Sequence, residues 1–133
     1  MKWTVIKSKR NDIKTQFKLI RPAFDGVSDA KNEYEFCCES VRDGSASMYQ
    51  IQSKGVNVRF VGVVTESDYF ILSFTGRGLK KVAPIIIQQV RKAGFSSIKY
   101  QTCRKGMRRI LNEFGFVHID TNQHGETVHQ LTL

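Results

Sequence analysis

Two glycines and three basic side chains come together in FTGRGLKK, residues 74–81. Because glycine has no Cβ, it lets a backbone turn sharply and pass close to a ligand. A helical pattern begins here, and the first N–H groups of a helix have no intrahelical acceptor and lie at its weakly positive end. Arg77, Lys80 and Lys81 add positive charge. The segment predicts a cradle for a phosphate or diphosphate group; a tight strand-to-helix turn with solvated lysines is the simpler alternative.

This segment matches neither of the common nucleotide-binding loops. It has no Gly-x4-Gly-Lys-Ser/Thr pattern, which excludes a Walker A loop. It also lacks the third glycine of the dinucleotide fingerprint. The predicted anion site therefore depends on the strand, the two glycines and the helix entry alone.

Few side chains near this segment could move a proton or act as a nucleophile. Ser73 immediately precedes it, and Tyr100 lies on the strand predicted after the helix. Ser73 lacks the Gly-x-Ser-x-Gly elbow of hydrolases, and a half-buried tyrosine on a strand is commonly structural. Glu66 and Asp68 lie in a predicted hairpin turn, where carboxylates are usually solvated. Ser73 and Tyr100 are the catalytic candidates, each with a structural role as the simpler alternative.

The histidines and cysteines do not stand at the spacing that metal sites use. The cysteines are odd in number, and none forms a Cys-x-x-Cys pair. We therefore predict no metal site and reduced thiols, as in a cytoplasmic protein. His118 and His129 could meet across the last hairpin. The residues concerned are His118, His124, His129, Cys37, Cys38 and Cys103.

Hydrophobic periodicity predicts the elements that position these residues. One domain over residues 1–133 has the order β-α-α-β-β-β-α-β-α-β-β. The strands predicted at 69–75 and 97–102 flank a helix that begins from Gly76, which implies a parallel crossover. Short antiparallel strands on either side make this an α/β (α+β) fold with a mixed, mostly antiparallel sheet and a central parallel pair. The other predicted bounds are a strand at 3–7, helices capped by Asn11 or Asp12 and by Ser28, strands at 46–53, 56–64, 117–120 and 126–132, and a helix that ends before Gly115.

The element order, the RGLKK helix entry and Gly115-Phe116 after the next helix together resemble the GNAT family of N-acetyltransferases. The resemblance covers nearly the whole chain, with its motifs between Tyr69 and Ile119. It implies an enzyme that moves an acyl group from acetyl-CoA, or another acyl-CoA, to an amine. It further implies that two splayed parallel strands admit the pantetheine arm.

In this family a Gln/Arg-x-x-Gly-x-Gly/Ala signature binds the coenzyme pyrophosphate through backbone amides. Carried over to this sequence, the signature falls on residues 75–80. Ser73 and Phe74 would lie along the pantetheine path, and Arg104 and Met107 would lie near the far side of the cofactor. The implied cofactor-binding residues are Phe74, Thr75, Gly76, Arg77, Gly78, Leu79, Lys80 and Lys81.

Four positions depart from the family pattern. Thr75 replaces Gln or Arg, and Lys80 replaces a small residue. Pro84 lies inside the predicted helix, where it removes a backbone hydrogen bond. Leu111 stands where the family often has a tyrosine that serves as general acid. The resemblance therefore implies a coenzyme site without the usual acid.

The net charge of +9, from 21 Lys and Arg against 12 Asp and Glu, will attract anions. This charge suits the phosphates of a coenzyme, but it also suits a second function. That function is a GNAT-like domain that has lost catalysis and binds an acidic protein or nucleic acid. The run RKGMRR, residues 104–109, could extend a phosphate-contacting surface, although such a run is more often a solvated helix face. Small basic proteins of this layout also occur among bacteriophages. No apolar run is long enough to span a membrane.

Overall fold

The computed structural model describes residues 1–123 and 125–133. Seven strands form one sheet in the order β1-β2-β3-β4-β5-β7-β6. β4 and β5 are parallel, and every other neighbouring pair is antiparallel. The predicted mixed sheet and element order are confirmed. The strands are β1 Lys2–Val5, β2 Ala46–Ser53, β3 Val56–Thr65, β4 Asp68–Arg77, β5 Ser97–Thr102, β6 Val117–Thr121 and β7 Thr127–Thr132.

Four α-helices and one 3-10 helix cover the sheet. The helices are α1 Ile13–Ile20, α2 Ala30–Arg42, α3 Leu79–Lys92 and α4 Lys105–Glu113, and the 3-10 helix is Arg21–Phe24. Within the described part of the chain, no helix is both long enough and apolar enough to cross a membrane. α3 continues across Pro84, which has no N–H to donate to the carbonyl four residues earlier.

Each face of the sheet carries its own apolar cluster. α3 and α4 cover one face, where Val82, Ile86 and Val90 pack against strand residues such as Phe60. α1, the 3-10 helix and α2 cover the other face, with a cluster of Ile6, Phe17, Ile20, Phe24, Cys37, Cys38, Val41, Ala46, Met48 and Val61. The apolar residues whose periodicity predicts these helices therefore lie on the faces that the helices bury.

Two predicted helix starts are wrong by a few residues. α2 follows Asp29 rather than Ser28, and no side chain caps it. α3 begins at Leu79 rather than Gly76, because β4 continues to Arg77. Gly76 pairs with Val58 in β3, and Arg77 pairs with Asn57. The strand therefore runs further toward the predicted anion site than the turn signals of its glycines indicate.

Candidate active site

The parallel strands β4 and β5 pair only over the first part of β4. Their ladder runs from Asp68 and Ser97 to Ile71 and Tyr100 and stops there. Beyond this point β4 continues to Arg77, bonded only to β3. The splay that the resemblance implies is present, and we call this gap the β4–β5 split.

Asp68 fixes the paired end of these strands. Its carboxylate accepts a hydrogen bond from the Ser97 hydroxyl at 2.6 Å and forms an ion pair with the Lys99 ammonium at 3.1 Å. The Ser97 hydrogen bond, followed by that of Lys99, lowers the pKa of Asp68. Asp68 therefore joins β4 to β5 and lies at the end of the strands away from the split.

A β-bulge in β4 lies beside the split. Val61 of β3 pairs with Ser73 and Gly62 pairs with Ile71, so Leu72 is the extra residue. A bulge re-aims the side chains that follow it. Leu72 lines a cavity on the α2 face, whereas Ile71 lines a void on the α3 face.

Three backbone N–H groups at the start of α3 precede its hydrogen-bond ladder. The first bonds of the helix run to the Gly78 carbonyl, from the N–H groups of Lys81 at 3.0 Å and Val82 at 3.2 Å. The N–H groups of Gly78, Leu79 and Lys80 therefore have no acceptor within the helix. The side chains of Arg77, Lys80 and Lys81 are exposed around them. The geometry matches an anion cradle.

The two glycines of this loop are required by β3. A Cβ on Gly76 would lie 2.2 Å from the Asn57 carbonyl oxygen, and one on Gly78 would lie 2.9 Å from a methyl group of Val56, the first residue of β3. Both residues also have positive φ, 126° and 87°. In this structure the backbone that comes close to both glycines is that of β3 and the turn before it; that they also permit close approach of a ligand stays a prediction.

Two of the predicted cofactor-binding side chains point away from the cradle. The Thr75 hydroxyl lies 3.4 Å from the Leu19 carbonyl oxygen, and Thr75 is 6% exposed. Phe74 is 4% exposed and packs in the apolar cluster under α3 and α4. At the cradle, only the backbone of these two residues remains to contact a ligand.

Lys80 contacts α4 as well as the cradle. Its ammonium lies 3.1 Å from the Glu113 carboxylate, which joins the first turn of α3 to the last turn of α4. Both side chains are largely exposed, so the ion pair contributes little stability. A negative charge beside the cradle weakens its attraction for an anion.

The path for a pantetheine arm between α3 and α4 is closed in this structure. The void there measures about 30 Å³ and is lined by apolar side chains, among them Ile71, Phe74, Leu111 and Phe114. This volume accommodates about one water molecule. The diphosphate end of coenzyme A therefore fits the residues present, whereas its arm fits only if side chains of α4 move.

Tyr100 occupies the wall of this void at the point where the strands part. It is 4% exposed, and its hydroxyl lies beside the backbone N–H of Phe74. Burial raises the pKa of Tyr100, against the smaller effects of Arg104 and the Phe74 N–H. The hydroxyl is therefore protonated at neutral pH and can donate.

Ser73 faces α2 and has the environment of a structural residue. It is fully buried, and its hydroxyl makes no hydrogen bond of normal geometry among the described residues. Burial, with Cys38 as a second cause, raises the pKa of Cys37 to about 12 despite the nearby Ser73 hydroxyl. Cys37, Cys38 and Cys103 are free thiols, as predicted.

A cavity of about 370 Å³ opens on the α2 face, on the other side of the split from the closed void. We call it the acidic pocket, because Asp29, Glu33 and Glu126 line it and no lysine, arginine or histidine of the described chain does. The whole chain carries +9. The rest of the lining is Ala23, Phe24, Val27, Asn32, Phe36, Cys37, Phe70, Leu72, Gln101 and Thr102.

Glu126 is the buried carboxylate of this pocket, at 2% exposure. One of its oxygens accepts from the Gln101 amide at 2.9 Å, and the other accepts from the Asn122 amide at 3.0 Å. Its own N–H donates to the Asn122 side-chain oxygen at 3.0 Å. Neutral amides thus fix the carboxylate without neutralising it. The sequence shows Glu126 only as an acidic residue after a polar turn, and no motif marks it.

The basic run of α4 holds the loops beside the acidic pocket. Arg104 donates to the Pro22 carbonyl at 3.1 Å, and Arg108 donates to the Gly125 carbonyl at 2.9 Å. Met107 is 2% exposed, whereas Lys105 and Arg109 are exposed. Two of the four basic side chains of the run therefore act within the fold, and the wider basic surface stays a prediction.

The last hairpin brings His118 and His129 together, as the sequence allows. They are paired across β6 and β7, with ring centroids 5.5 Å apart. Burial, and then the charges of His118 and Arg108, lower the pKa of His129. His124 lies outside the described residues. Within those residues, no group of three or more potential ligands could hold a metal ion.

No protein-family model and no curated protein sequence matches the chain. Solved structures do match it over its whole length. The PaiA N-acetyltransferase of Thermoplasma acidophilum, in complex with coenzyme A, has a TM-score of 0.69 at 9% identity and covers 100% of both chains. An acetyltransferase of Bacillus subtilis, also in complex with coenzyme A, has a TM-score of 0.66 at 14% identity, covering 99% of this chain and 98% of that one.

A third match bears the family's name. It is a putative acetyltransferase of the GNAT family from Desulfovibrio desulfuricans, with a TM-score of 0.63 at 10% identity and coverage of 98% of this chain and 99% of that one. At these identities the likeness shows the fold alone. The parallel pair that parts and the free backbone N–H groups at the start of α3 agree with the features that the resemblance implies. The chain has the fold of the GNAT N-acetyltransferases.

Proposed function

We propose that this chain is an acyl-CoA-dependent N-acyltransferase whose acceptor is a primary amine, bound as an ammonium ion. One observation carries the proposal: the β4–β5 split has a positive amide cradle at the start of α3 and an acidic pocket on its α2 face. A diphosphate and an amine need opposite charges, and the fold supplies both beside the strands that part. The acetyltransferase matches support the same reaction class.

The coenzyme end would be held by the backbone N–H groups of Gly78, Leu79 and Lys80. Arg77, Lys80 and Lys81 would neutralise phosphate charge around them. When bound, acetyl-CoA supplies an activated acyl group whose thioester carbon the amine attacks. The Phe74 N–H, which lies beside the Tyr100 hydroxyl, would be the donor that polarises the acyl carbonyl.

The acidic pocket would bind the acceptor and remove its proton. Asp29, Glu33 and Glu126 attract the ammonium ion, and an amine must lose a proton before it can attack. Glu126 takes this proton, directly or through a water molecule, since its carboxylate is held in place by neutral amides. Phe36, which lines the pocket and is 64% exposed, offers an apolar contact for the rest of the acceptor.

The leaving thiolate needs an acid, and Leu111 cannot serve. Tyr100 is the protonated hydroxyl at the split, so it donates this proton as the C–S bond breaks and the C–N bond forms. Both Glu126 and Tyr100 then exchange protons with solvent. Entry of the pantetheine arm requires Leu111 and Phe114 of α4 to move away from α3.

The test is ligand binding followed by turnover. A ligand present at one hundred times its dissociation constant stabilises the folded protein by ~2.7 kcal/mol. Acetyl-CoA should therefore raise the melting temperature by several degrees. Mass spectrometry of a panel of amines incubated with acetyl-CoA should then find an acylated product. An unchanged melting temperature at millimolar acetyl-CoA contradicts the proposal.

A second candidate, a catalytically degenerate module, is favoured by the closed void and by Glu113 beside the cradle. Its partner would be an acidic protein or nucleic acid, attracted by the net charge of +9. It predicts salt-dependent binding of RNA or DNA together with no binding of acetyl-CoA. A bacteriophage origin finds no support in the structural matches.

A further inference from the structure

A cavity of about 410 Å³ lies on the α3 face of the sheet, next to the C-terminal half of α3. Its lining residues on and just after α3 run from Ile86 to Ala93, so they lie roughly 10 to 20 Å along the helix from the amide cradle. Five of the nine lining residues are aromatic: Trp3, Tyr49, Phe60, Tyr69 and Phe95. We call this cavity the aromatic pocket. The proposed acyl transfer uses none of these residues.

The rings of the aromatic pocket already contact one another. Trp3 meets Tyr49 and Phe60 edge-on at 6.1 Å and 6.0 Å between centroids, and Tyr49 stacks on Phe60 at 5.1 Å. These are preferred geometries of aromatic pairs. Tyr69 packs on Phe95 at 5.6 Å. The walls are therefore formed without a ligand.

Glycine at position 62 makes room for one of these rings. A Cβ there would lie 1.9 Å from the Tyr69 hydroxyl oxygen, so the Tyr69 ring lies directly over the Gly62 backbone. Any other residue at this position would push the ring away. The sequence thus keeps Tyr69 in the wall of the pocket.

The lining offers hydrogen bonds but no charge. Its polar groups are the Gln89 amide, the Trp3 indole N–H and the hydroxyls of Tyr49 and Tyr69. Burial raises the pKa of Tyr69, which keeps it neutral. An anion would find no cationic partner in the lining and would lose its hydration. A cation would meet the net charge of +9 and the neighbouring Arg91 and Lys92 of α3. The surroundings therefore select an uncharged ligand.

We propose that the aromatic pocket binds an uncharged, planar aromatic molecule that carries one hydrogen-bonding group, at a site separate from acyl transfer. Its volume supports this class, since an apolar cavity of about 150 Å³ holds benzene. A molecule of one or two rings fits, with its ring faces and edges against the aromatic walls and its polar group near Gln89.

Trp3 makes occupancy directly measurable, because it is the only tryptophan of the sequence. para-Bromobenzyl alcohol is uncharged and planar, and its bromine quenches the fluorescence of an indole in contact with it. We expect saturable quenching of Trp3, whereas bromoethanol should quench linearly by collision. Linear quenching by both compounds would overturn the proposal.

A filling substitution and its matched control locate the binding. Ala93→Phe places a ring into the pocket from α3, whereas Lys92→Phe adds the same ring one residue away, outside the lining. We expect affinity for para-bromobenzyl alcohol to fall at least about tenfold in the first variant, because the new ring covers aromatic walls that the ligand would otherwise contact, and to stay unchanged in the second. Equal affinities in both would overturn the proposal. If Ala93→Phe does not fold, the NMR shift of the Trp3 indole N–H in the unaltered protein decides: saturable movement supports the proposal, and none overturns it.

Charged analogues test the ligand class. para-Bromobenzoate and para-bromobenzyltrimethylammonium carry the same ring with opposite charges. The uncharged alcohol should bind at least about tenfold tighter than either, a difference of about 1.4 kcal/mol. Tighter binding of the ammonium compound would identify a cation cage and overturn the proposal.

Discussion

The two sides of the β4–β5 split are built from opposite kinds of sequence. On the α3 side one continuous segment, residues 74–81, supplies the amide cradle and its basic side chains, and the space behind it is closed to about 30 Å³. On the α2 side a cavity of about 370 Å³ is open and acidic. Its residues come from four separate segments of the chain, 23–37, 70–72, 101–102 and Glu126. A cofactor cradle can thus be local, whereas an acceptor pocket is assembled by the fold.

This difference assigns separate tasks to the two sides. The cradle depends on glycines that β3 requires, so its geometry is set by folding before any ligand arrives. The acidic pocket depends on one carboxylate, Glu126, that folding would not require: two neutral amides hold it, and no cation among the described residues pairs with it. Stability experiments should therefore report on the cradle, and kinetic experiments should report on the pocket.

The largest expected effect is loss of stability from Gly76→Ala. The new Cβ would lie 2.2 Å from the Asn57 oxygen at a φ of 126°, so the β3–β4 pairing must distort. We expect the free energy of unfolding to fall by roughly 3 kcal/mol or more, measured by urea denaturation. Gly94→Ala is the matched control, since Gly94 also has positive φ but nothing lies within 4 Å of its Cβ position; it should cost about 1 kcal/mol. Equal losses in both variants would contradict the role given to β3.

Glu126→Gln tests the acidic pocket. Removal of the charge leaves the side-chain size unchanged but abolishes proton acceptance, so kcat/KM for the amine should fall roughly a hundredfold. Affinity for acetyl-CoA should not change, because Glu126 lies on the other face of the split. Glu35→Gln, outside this pocket, is the control for loss of one charge. Equal rates for the two variants would remove Glu126 from the mechanism.

Tyr100→Phe tests the acid on the α3 side. Without the hydroxyl, the leaving thiolate must take its proton from water, and we expect kcat to fall about tenfold with little change in KM. Acyl donors with a more acidic leaving thiol need less protonation, so their rates should fall less. A uniform loss across such donors would indicate that Tyr100 only shapes the void.

The sequence predicts the α3 side better than the α2 side for a physical reason. The stripe of Val82, Ile86 and Val90 and the helix entry after Gly78 are local patterns, and local patterns can be identified without coordinates. That Gly76 pairs with Val58 of β3 depends on strand register, which no local signal fixes. Glu126 was missed because its partner Gln101 is 25 residues away in the chain.

The pH dependence of stability tests whether water reaches the Cys37 thiol in the acidic pocket. Cys37 lines this pocket, yet it is 1% exposed, and burial raises its pKa from 9.0 to about 12. The unfolded chain loses this proton near pH 9 and the folded chain keeps it, so the thiol's contribution is complete below pH 9 and falls as pH rises toward 12. The loss should approach about 1.4 kcal/mol per pH unit. Urea denaturation at rising alkaline pH should show a steeper decline for the unaltered protein than for Cys37→Ala; identical slopes would mean that water reaches the thiol.

The smallest expected effect comes from Glu113→Gln on the α3 side. Glu113 holds the Lys80 ammonium at 3.1 Å and adds negative charge beside the cradle. Because both side chains are largely exposed, the pair contributes at most about 1 kcal/mol, so its loss should hardly change the melting temperature. It frees Lys80 for phosphate, and affinity for acetyl-CoA should rise roughly twofold to fivefold, which is the same free energy seen as binding. Glu39→Gln, which breaks the exposed pair with Arg42 on the opposite face, controls for the change in net charge. If calorimetry gives the same gain for both variants, long-range charge rather than Lys80 sets coenzyme affinity, and the cradle is weaker than its geometry indicates.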